Sequence, residues 1–239
     1  MMKSSLRSIS RKTLLLAGLA ALGVGVGAAW AFFKKPDPSS GAAVPIRVSG
    51  REIEFPATVT RSSFERELLG MGMPGYHLIV YKDGGAAMAS LFRAEVTDTQ
   101  VLDALEGLGA KPGNALGMDT WEERKDKDSK APDKVIAGPP VEVLIRVPGK
   151  AGLLTLDQIL QDPGGRGFDM RFGGHRANIP KWKSGCIVCL YSCPGSKVGN
   201  ARYTVRDYVK DRTKFRVKPG VLPADGTRVG IVFRLPGAP

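Results

Sequence analysis

Histidine and cysteine are scarce in this chain, which has 239 residues but two histidines and three cysteines. The sequence contains no G-x-S-x-G, no H-E-x-x-H and no Walker A loop, the motifs of α/β-hydrolases, zinc proteases and P-loop NTPases. Two histidines also leave little material for general acid–base chemistry. A substrate-converting enzyme of these classes is therefore not expected, and the cysteines become the most informative residues.

Aromatic residues are also few, at 7%, although a hydrophobic content of 43% is enough for a folded core. The 30 glycines and 17 prolines imply many turns and favour a mixed or β-rich fold over a helical bundle. From Ile46 onward, short apolar runs alternate with turn residues, which is typical of strands. A helix is predicted over 99–108. The predicted fold class is α+β: a mixed, β-rich single domain behind an N-terminal transmembrane helix.

The N-terminal region contains a run of 21 residues without charge, 13–33. A helix of that length spans a hydrocarbon core of roughly 30 Å. Four basic residues in 1–12 precede the run and two follow it, which favours a cytoplasmic N-terminus. We predict a single-pass anchor in a bacterial inner membrane, a linker over 34–45 and a periplasmic domain over 46–239. A cleaved signal peptide, ending near Ala29-Trp30-Ala31, is the alternative.

Positive charge is concentrated in two parts of the chain, whose formal net charge is +12. One is the N-terminal segment, and the other is 171–218, with twelve Lys and Arg residues against two acids. Nucleic acid is not expected as the partner of an exported domain. The basic segment instead predicts contact with the inner membrane or with a redox partner that has an acidic surface.

All three cysteines lie between Gly185 and Gly195, in the pattern C-x2-C-x3-C-P. Cysteines that serve as small hydrophobes would be scattered, whereas Cys186, Cys189 and Cys193 fall within eight residues. Thiolates this close usually share a metal or form a disulfide. The spacing matches the last three cysteines of the C-x2-C-x2-C-x3-C-P run of ferredoxins. We therefore predict that one loop, 185–195, holds an iron–sulfur cluster, [4Fe–4S].

A [4Fe–4S] cluster normally has four protein ligands, so three cysteines leave one position to fill. A second chain or a solvent molecule could fill it, but the two histidines are the imidazole candidates within this chain. His175 lies 11 positions before Cys186 and directly after two glycines, and we predict that it is the fourth metal ligand. His77 lies inside a strand-like run, where an ordinary strand residue is the simpler interpretation.

A zinc site, a copper site or a disulfide could use the same cysteines in place of an iron–sulfur cluster. Cys3His is a standard set of ligands for zinc. The pattern Cys189-x3-Cys193-Pro194 is similar to the C-x3-C-P of membrane-tethered copper-delivery proteins, and soft thiolates suit Cu(I). A disulfide is the remaining alternative, although an odd number of cysteines argues against a purely structural bridge.

Two segments of the chain resemble the YdjY-like domain family. One is Gly75-Tyr76-His77-Leu78-Ile79-Val80 with the helix and turn that follow as far as Gly113, and the other is the cysteine segment continued to Gly199-Asn200. The resemblance covers about 44–235. It implies an exported bacterial protein, often described as ferredoxin-like, and only weakly a biochemistry.

These observations predict a membrane-anchored periplasmic metal-binding protein, an iron–sulfur electron-transfer or redox accessory protein. Such a protein would be an electron carrier and would not convert a substrate. The alternative is a non-catalytic binding module, or an accessory protein that handles copper or zinc.

Overall fold

The computed structural model describes residues 46–66, 73–114, 116–122, 126, 128–162, 164–210 and 214–237. The predicted basic segment, anchor and linker, 1–45, lie outside these ranges. Within them, none of the helices combines the length and the apolar character that are needed to cross a bilayer.

The described residues form twelve strands and six α-helices. The strands in chain order are β1 (Arg47–Ser49), β2 (Glu52–Val59), β3 (His77–Tyr81), β4 (Ser90–Ala94), β5 (Glu142–Arg146), β6 (Leu154–Thr155), β7 (Leu160–Gln161), β8 (Met170–Phe172), β9 (Cys186–Cys189), β10 (Val198–Asn200), β11 (Arg216–Val217) and β12 (Arg228–Arg234). The helices are α1 (Arg61–Glu65), α2 (Asp98–Gly107), α3 (Met118–Glu122), α4 (Leu156–Ile159), α5 (Ile179–Trp182) and α6 (Val205–Val209). Two 3₁₀ turns add Ala87–Ala89 and Arg176–Asn178.

Ten strands form one mixed sheet in the order β6-β5-β12-β2-β4-β3-β9-β10-β8, and β1 pairs with β2 outside this order. The β3–β4 and β9–β10 pairs are parallel, and the other pairs of the sheet are antiparallel. β7 and β11 form a separate antiparallel pair. The mixed, β-rich fold that the sequence predicts is therefore confirmed for the described domain.

Local sequence explains why the main elements form where they do. In β2, buried and half-buried residues alternate, which is the period-two pattern of a strand with one covered face. α2 begins at a capping box, in which Thr97 Oγ1 accepts from the Gln100 amide and the Gln100 side chain accepts from the Thr97 amide. The apolar side of α2 is buried through Val101, Leu102 and Leu105.

β3 and β9 are neighbours near the middle of the sheet order. Every residue of β9 is buried, and so are the first four residues of β3. α2 packs against β9. The two strands therefore place their side chains in the interior of the domain.

Candidate metal centre

Cys186 and Cys189 lie on the same strand, β9, and not in a loop as the sequence had suggested. Side chains three positions apart on a regular strand point to opposite faces. The pairing with β3 is irregular, however: His77 pairs with Cys189, Ile79 with Val188, and Val80 with Cys186. One extra residue therefore bulges from each strand, and such bulges turn a side chain to a new direction. As a result, the sulfurs of Cys186 and Cys189 lie 2.7 Å apart.

His77 completes a group of three possible metal ligands. Its Nδ1 lies 3.5 Å from the sulfur of Cys189 and 3.6 Å from that of Cys186. The ligand atoms of these three residues all lie within 4.8 Å of one another. Among the described residues, no other group of three or more His, Cys, Asp or Glu side chains comes as close together. Both cysteines are fully buried and His77 is 8% exposed. The group could hold a metal ion.

Cys193 follows β9 and lies beside this group without belonging to it. Hydrogen bonding from the Cys189 thiol lowers the pKa of Cys193 to about 7, in spite of its burial. The Tyr76 hydroxyl and the backbone amides of Gly195 and Ser196 act in the same direction. Hydrogen bonds to a charged form favour that form, so Cys193 is the thiol that ionises most readily here.

The pKa values of the other two thiols shift in the opposite direction, because burial is the largest cause there. It raises the pKa of Cys186, and it raises that of Cys189 well above the ordinary thiol value, because a buried thiolate loses its hydration. All three cysteines are free, and 2.7 Å is longer than the ~2.05 Å of a disulfide bond. A metal ion that binds Cys186 and Cys189 must therefore displace their protons.

The Tyr76 ring lies beside the site. It meets the His77 ring edge to face, with centroids 4.8 Å apart. Tyr76 is fully buried, and its hydroxyl is one of the groups that lower the pKa of Cys193. Tyr76 therefore belongs to the immediate surroundings of the thiols.

His175, the predicted fourth ligand, does not join the cysteines. Its Nε2 lies 2.7 Å from the carbonyl oxygen of Gly113, in the segment that follows α2. The amides of Gly173 and Gly174 both bond to the Lys197 carbonyl, which fixes the chain just before His175. The structure brings His77 to the thiols instead. The sequence signal for this was weak, because one histidine in an apolar run is typical of an ordinary strand.

A buried ion pair lies against the same segment. Lys197 is 1% exposed, and its Nζ lies 3.2 Å from Asp98 Oδ2 and donates to the Gly195 carbonyl at 3.1 Å. The other basic residues around the cysteines in the sequence are exposed: Lys181, Lys183 and Arg202. Among the described residues of the basic segment, Lys197 and Arg206 are buried, and Lys197 is the one that bonds to the carbonyl of Gly195, two residues after Cys193.

Fold and site together define a β-rich domain with an internal thiol–imidazole centre. The YdjY domain family matches residues 45–234, and the chain belongs to this family. It is 34% identical over 160 residues to the uncharacterized protein YdjY of Escherichia coli strain K12, which covers 66% of this chain and 67% of that protein. No solved structure matches the chain. The family resemblance is thus confirmed, while neither match supplies the ferredoxin-like character that was expected with it.

Proposed function

We propose that this protein holds one resident, thiophilic metal ion between His77, Cys186 and Cys189, and that it acts as an electron-transfer or redox accessory protein. The observation that carries the proposal is the position of His77 Nδ1, 3.5 and 3.6 Å from the two sulfurs. A single ion could bind all three once the two sulfurs, 2.7 Å apart, separate, because tetrahedral ligands at ~2.3 Å from a zinc ion lie farther from each other than that. Thiolate and imidazole together suit copper, zinc and iron.

The burial of the ligands supports a resident ion over one that is handed to a partner. Both cysteines are fully buried and His77 is 8% exposed. Transfer of an ion requires a second protein to reach its ligands, whereas an electron can cross the protein that surrounds a closed site. Electron transfer therefore agrees with the geometry better than metal delivery does. A zinc ion, which has no redox chemistry, would instead make the domain a structural or binding module.

An iron–sulfur cluster is the second candidate, and the spacing C-x2-C-x3-C-P favours it. In a cluster with several irons, however, successive thiolates bind different irons and must lie apart. The sulfurs of Cys186 and Cys189 lie 2.7 Å from each other. A cluster would have to separate them inside a fully buried strand, so a single ion fits with less rearrangement.

The location of the protein is part of the proposal. The uncharged run 13–33, with basic residues before it, supports an anchor in a bacterial inner membrane and a domain in the periplasm. The exposed residues Lys181, Lys183 and Arg202 support a redox partner with an acidic surface. Mature protein that begins near Phe32 would contradict the anchor and favour a cleaved signal peptide.

Metal and acid-labile sulfide analysis of the full chain, purified without oxygen, tests the proposal. We expect ~1 transition metal ion per chain and no sulfide, since three ligands converge on one point. Iron with an equal amount of sulfide would establish a cluster in its place. If the protein contains no metal and mass spectrometry shows a Cys–Cys bridge, the metal centre is contradicted and a redox disulfide is favoured.

A further inference from the structure

Four of the chain's five tyrosines pack against one another next to the metal centre: Tyr76, Tyr191, Tyr203 and Tyr208. The first three are fully buried, and Tyr208 is half-buried. A buried phenol costs more than a buried phenyl ring, because its hydroxyl must leave water and find a partner. Phenylalanine would be sufficient for packing alone, so the buried hydroxyls indicate a further role.

Three of these rings form a continuous series that leads away from His77. The Tyr76 ring meets the His77 ring with centroids 4.8 Å apart, and it stacks on Tyr191 with centroids 4.7 Å apart and planes inclined by 14°. Tyr191 in turn meets Tyr203 edge to face, with centroids 6.1 Å apart. Each of these distances is that of an aromatic pair in contact. The series therefore connects a proposed metal ligand with Tyr203 without a gap.

Tyr203 is the end of the series that lies close to the surface. Its hydroxyl donates to Asp162 Oδ1 and accepts from the Arg166 amide at 3.1 Å. Asp162 is half-buried, whereas Arg166 and Arg202, which directly precedes Tyr203, are exposed. The series thus ends beneath two exposed cations, where an acidic partner would be attracted.

The contacts of Tyr203 favour loss of an electron together with a proton. An oxidised phenol is a strong acid, and the Asp162 carboxylate already accepts the hydrogen bond of this phenol. The Arg166 guanidinium lies over the Tyr203 ring, 3.9 Å from its centroid. A cation at that distance opposes positive charge on the ring. The neutral Tyr203 radical, with its proton on Asp162, is therefore the favoured product.

We propose that Tyr76, Tyr191 and Tyr203 form the route by which single electrons leave the metal centre for an oxidant at the surface. The oxidant is a one-electron acceptor of high potential carried by the acidic partner protein. Tyr203 first gives it one electron and passes the phenolic proton to Asp162. One electron from the metal then restores Tyr203 through the rings of Tyr76 and Tyr191, and the proton returns from Asp162.

In sum, the metal loses one electron, the oxidant gains it, and no proton is released. This inference rests on the proposed function, because it requires a metal that changes its oxidation state. It goes beyond that function by assigning the route and the place on the surface where the electron leaves the domain.

The test uses the full chain loaded with Cu⁺, a metal ion that thiolates prefer. Photoexcited flavin mononucleotide, an anionic one-electron oxidant, replaces the partner protein. Transient absorption follows the tyrosyl radical, and electron paramagnetic resonance detects the Cu²⁺ that forms. In the wild type, the radical should appear first and decay as Cu²⁺ forms. Formation of the radical should be slower in D₂O and in Asp162→Asn, because the proton moves with the electron.

Two variants interrupt the route at different steps. We expect Tyr203→Phe to slow the appearance of Cu²⁺ by ~10-fold or more, since a phenyl ring gives up an electron much less readily and so raises the barrier of the first step. Tyr191→Leu removes the ring between Tyr203 and Tyr76. In this variant the radical should form at the wild-type rate, persist longer, and yield Cu²⁺ more slowly.

Tyr208→Phe is the matched control. Tyr208 contacts Tyr76 and Tyr191 but lies outside the series to Tyr203, and the chemical change is the same as in Tyr203→Phe. It should leave the rate of Cu²⁺ formation unchanged. If Tyr208→Phe slows Cu²⁺ formation and Tyr203→Phe does not, the electrons leave through Tyr208 and the inference is overturned.

The remaining outcomes separate the route from the metal centre. If Tyr191→Leu does not fold, the comparison of Tyr203→Phe with Tyr208→Phe decides the question. If Tyr203→Phe binds Cu⁺ and yields Cu²⁺ as fast as the wild type, the metal centre stands and the tyrosine route is rejected. If the wild-type chain binds neither Cu⁺ nor any other transition metal, the proposed function fails, and this inference fails with it.

Discussion

Replacing Cys186 or Cys189 by serine is expected to weaken metal binding by roughly 100-fold or more. Structural zinc sites bind with ~10–16 kcal/mol shared among about four ligands, so each ligand accounts for a large factor. A serine hydroxyl preserves the size of the side chain but does not ionise near neutral pH and is a poor ligand for soft metals. Metal content after dialysis against a chelator measures the loss.

Cys193→Ser is the matched control for these variants. Cys193 lies in the same segment but outside the group of three ligand atoms within 4.8 Å. The loss of metal in this variant should therefore be clearly smaller than in Cys186→Ser and Cys189→Ser. Equal losses in all three variants would make Cys193 a full ligand and would contradict a site built on three residues.

The second large effect is expected from His77→Ala, which should reduce metal affinity by at least ~10-fold because it removes the imidazole ligand. His175→Ala should leave the affinity unchanged, since His175 is engaged with the Gly113 carbonyl. These are the two histidines of the chain, so the comparison separates them completely. Loss of metal from His175→Ala with none from His77→Ala would reverse the assignment of the imidazole ligand.

Much of the fold follows from local patterns in the sequence. The alternation in β2 and the apolar face of α2 each identify an element without reference to the rest of the chain. The predicted helix over 99–108 differs from α2 by one residue at each end. The choice of the cysteines as the candidate site also follows from local sequence, because they fall within eight residues of one another.

The partner of the cysteines could not be found in this way. His77 and Cys186 are separated by 109 residues, and they meet because β3 pairs with β9. No local pattern specifies which strands are neighbours in a sheet. His175 was predicted as the ligand because it lies close to the cysteines in the sequence. The hydrogen bonds of Gly173 and Gly174 to the Lys197 carbonyl, however, fix the backbone that precedes His175.

The sequence also could not predict that the sulfurs of Cys186 and Cys189 lie next to each other. A C-x2-C pattern in a regular strand would place the two sulfurs on opposite faces. Register shifts in the β3–β9 pair bring both to one face, and such bulges depend on the packing of both strands. The pairing of Lys197 with Asp98 likewise depends on how α2 lies on β9, which their separate positions in the chain do not indicate.

X-ray absorption at the edge of the bound metal tests most directly whether His77, Cys186 and Cys189 share one ion. The predicted result is a first shell of sulfur with one imidazole nitrogen, at ~2.3 Å and ~2.0 Å if the metal is zinc. No metal–metal scattering should be present, and His77→Ala should remove the imidazole signal. A metal–metal shell, or a shell of sulfur with no nitrogen in the wild-type protein, would contradict the account.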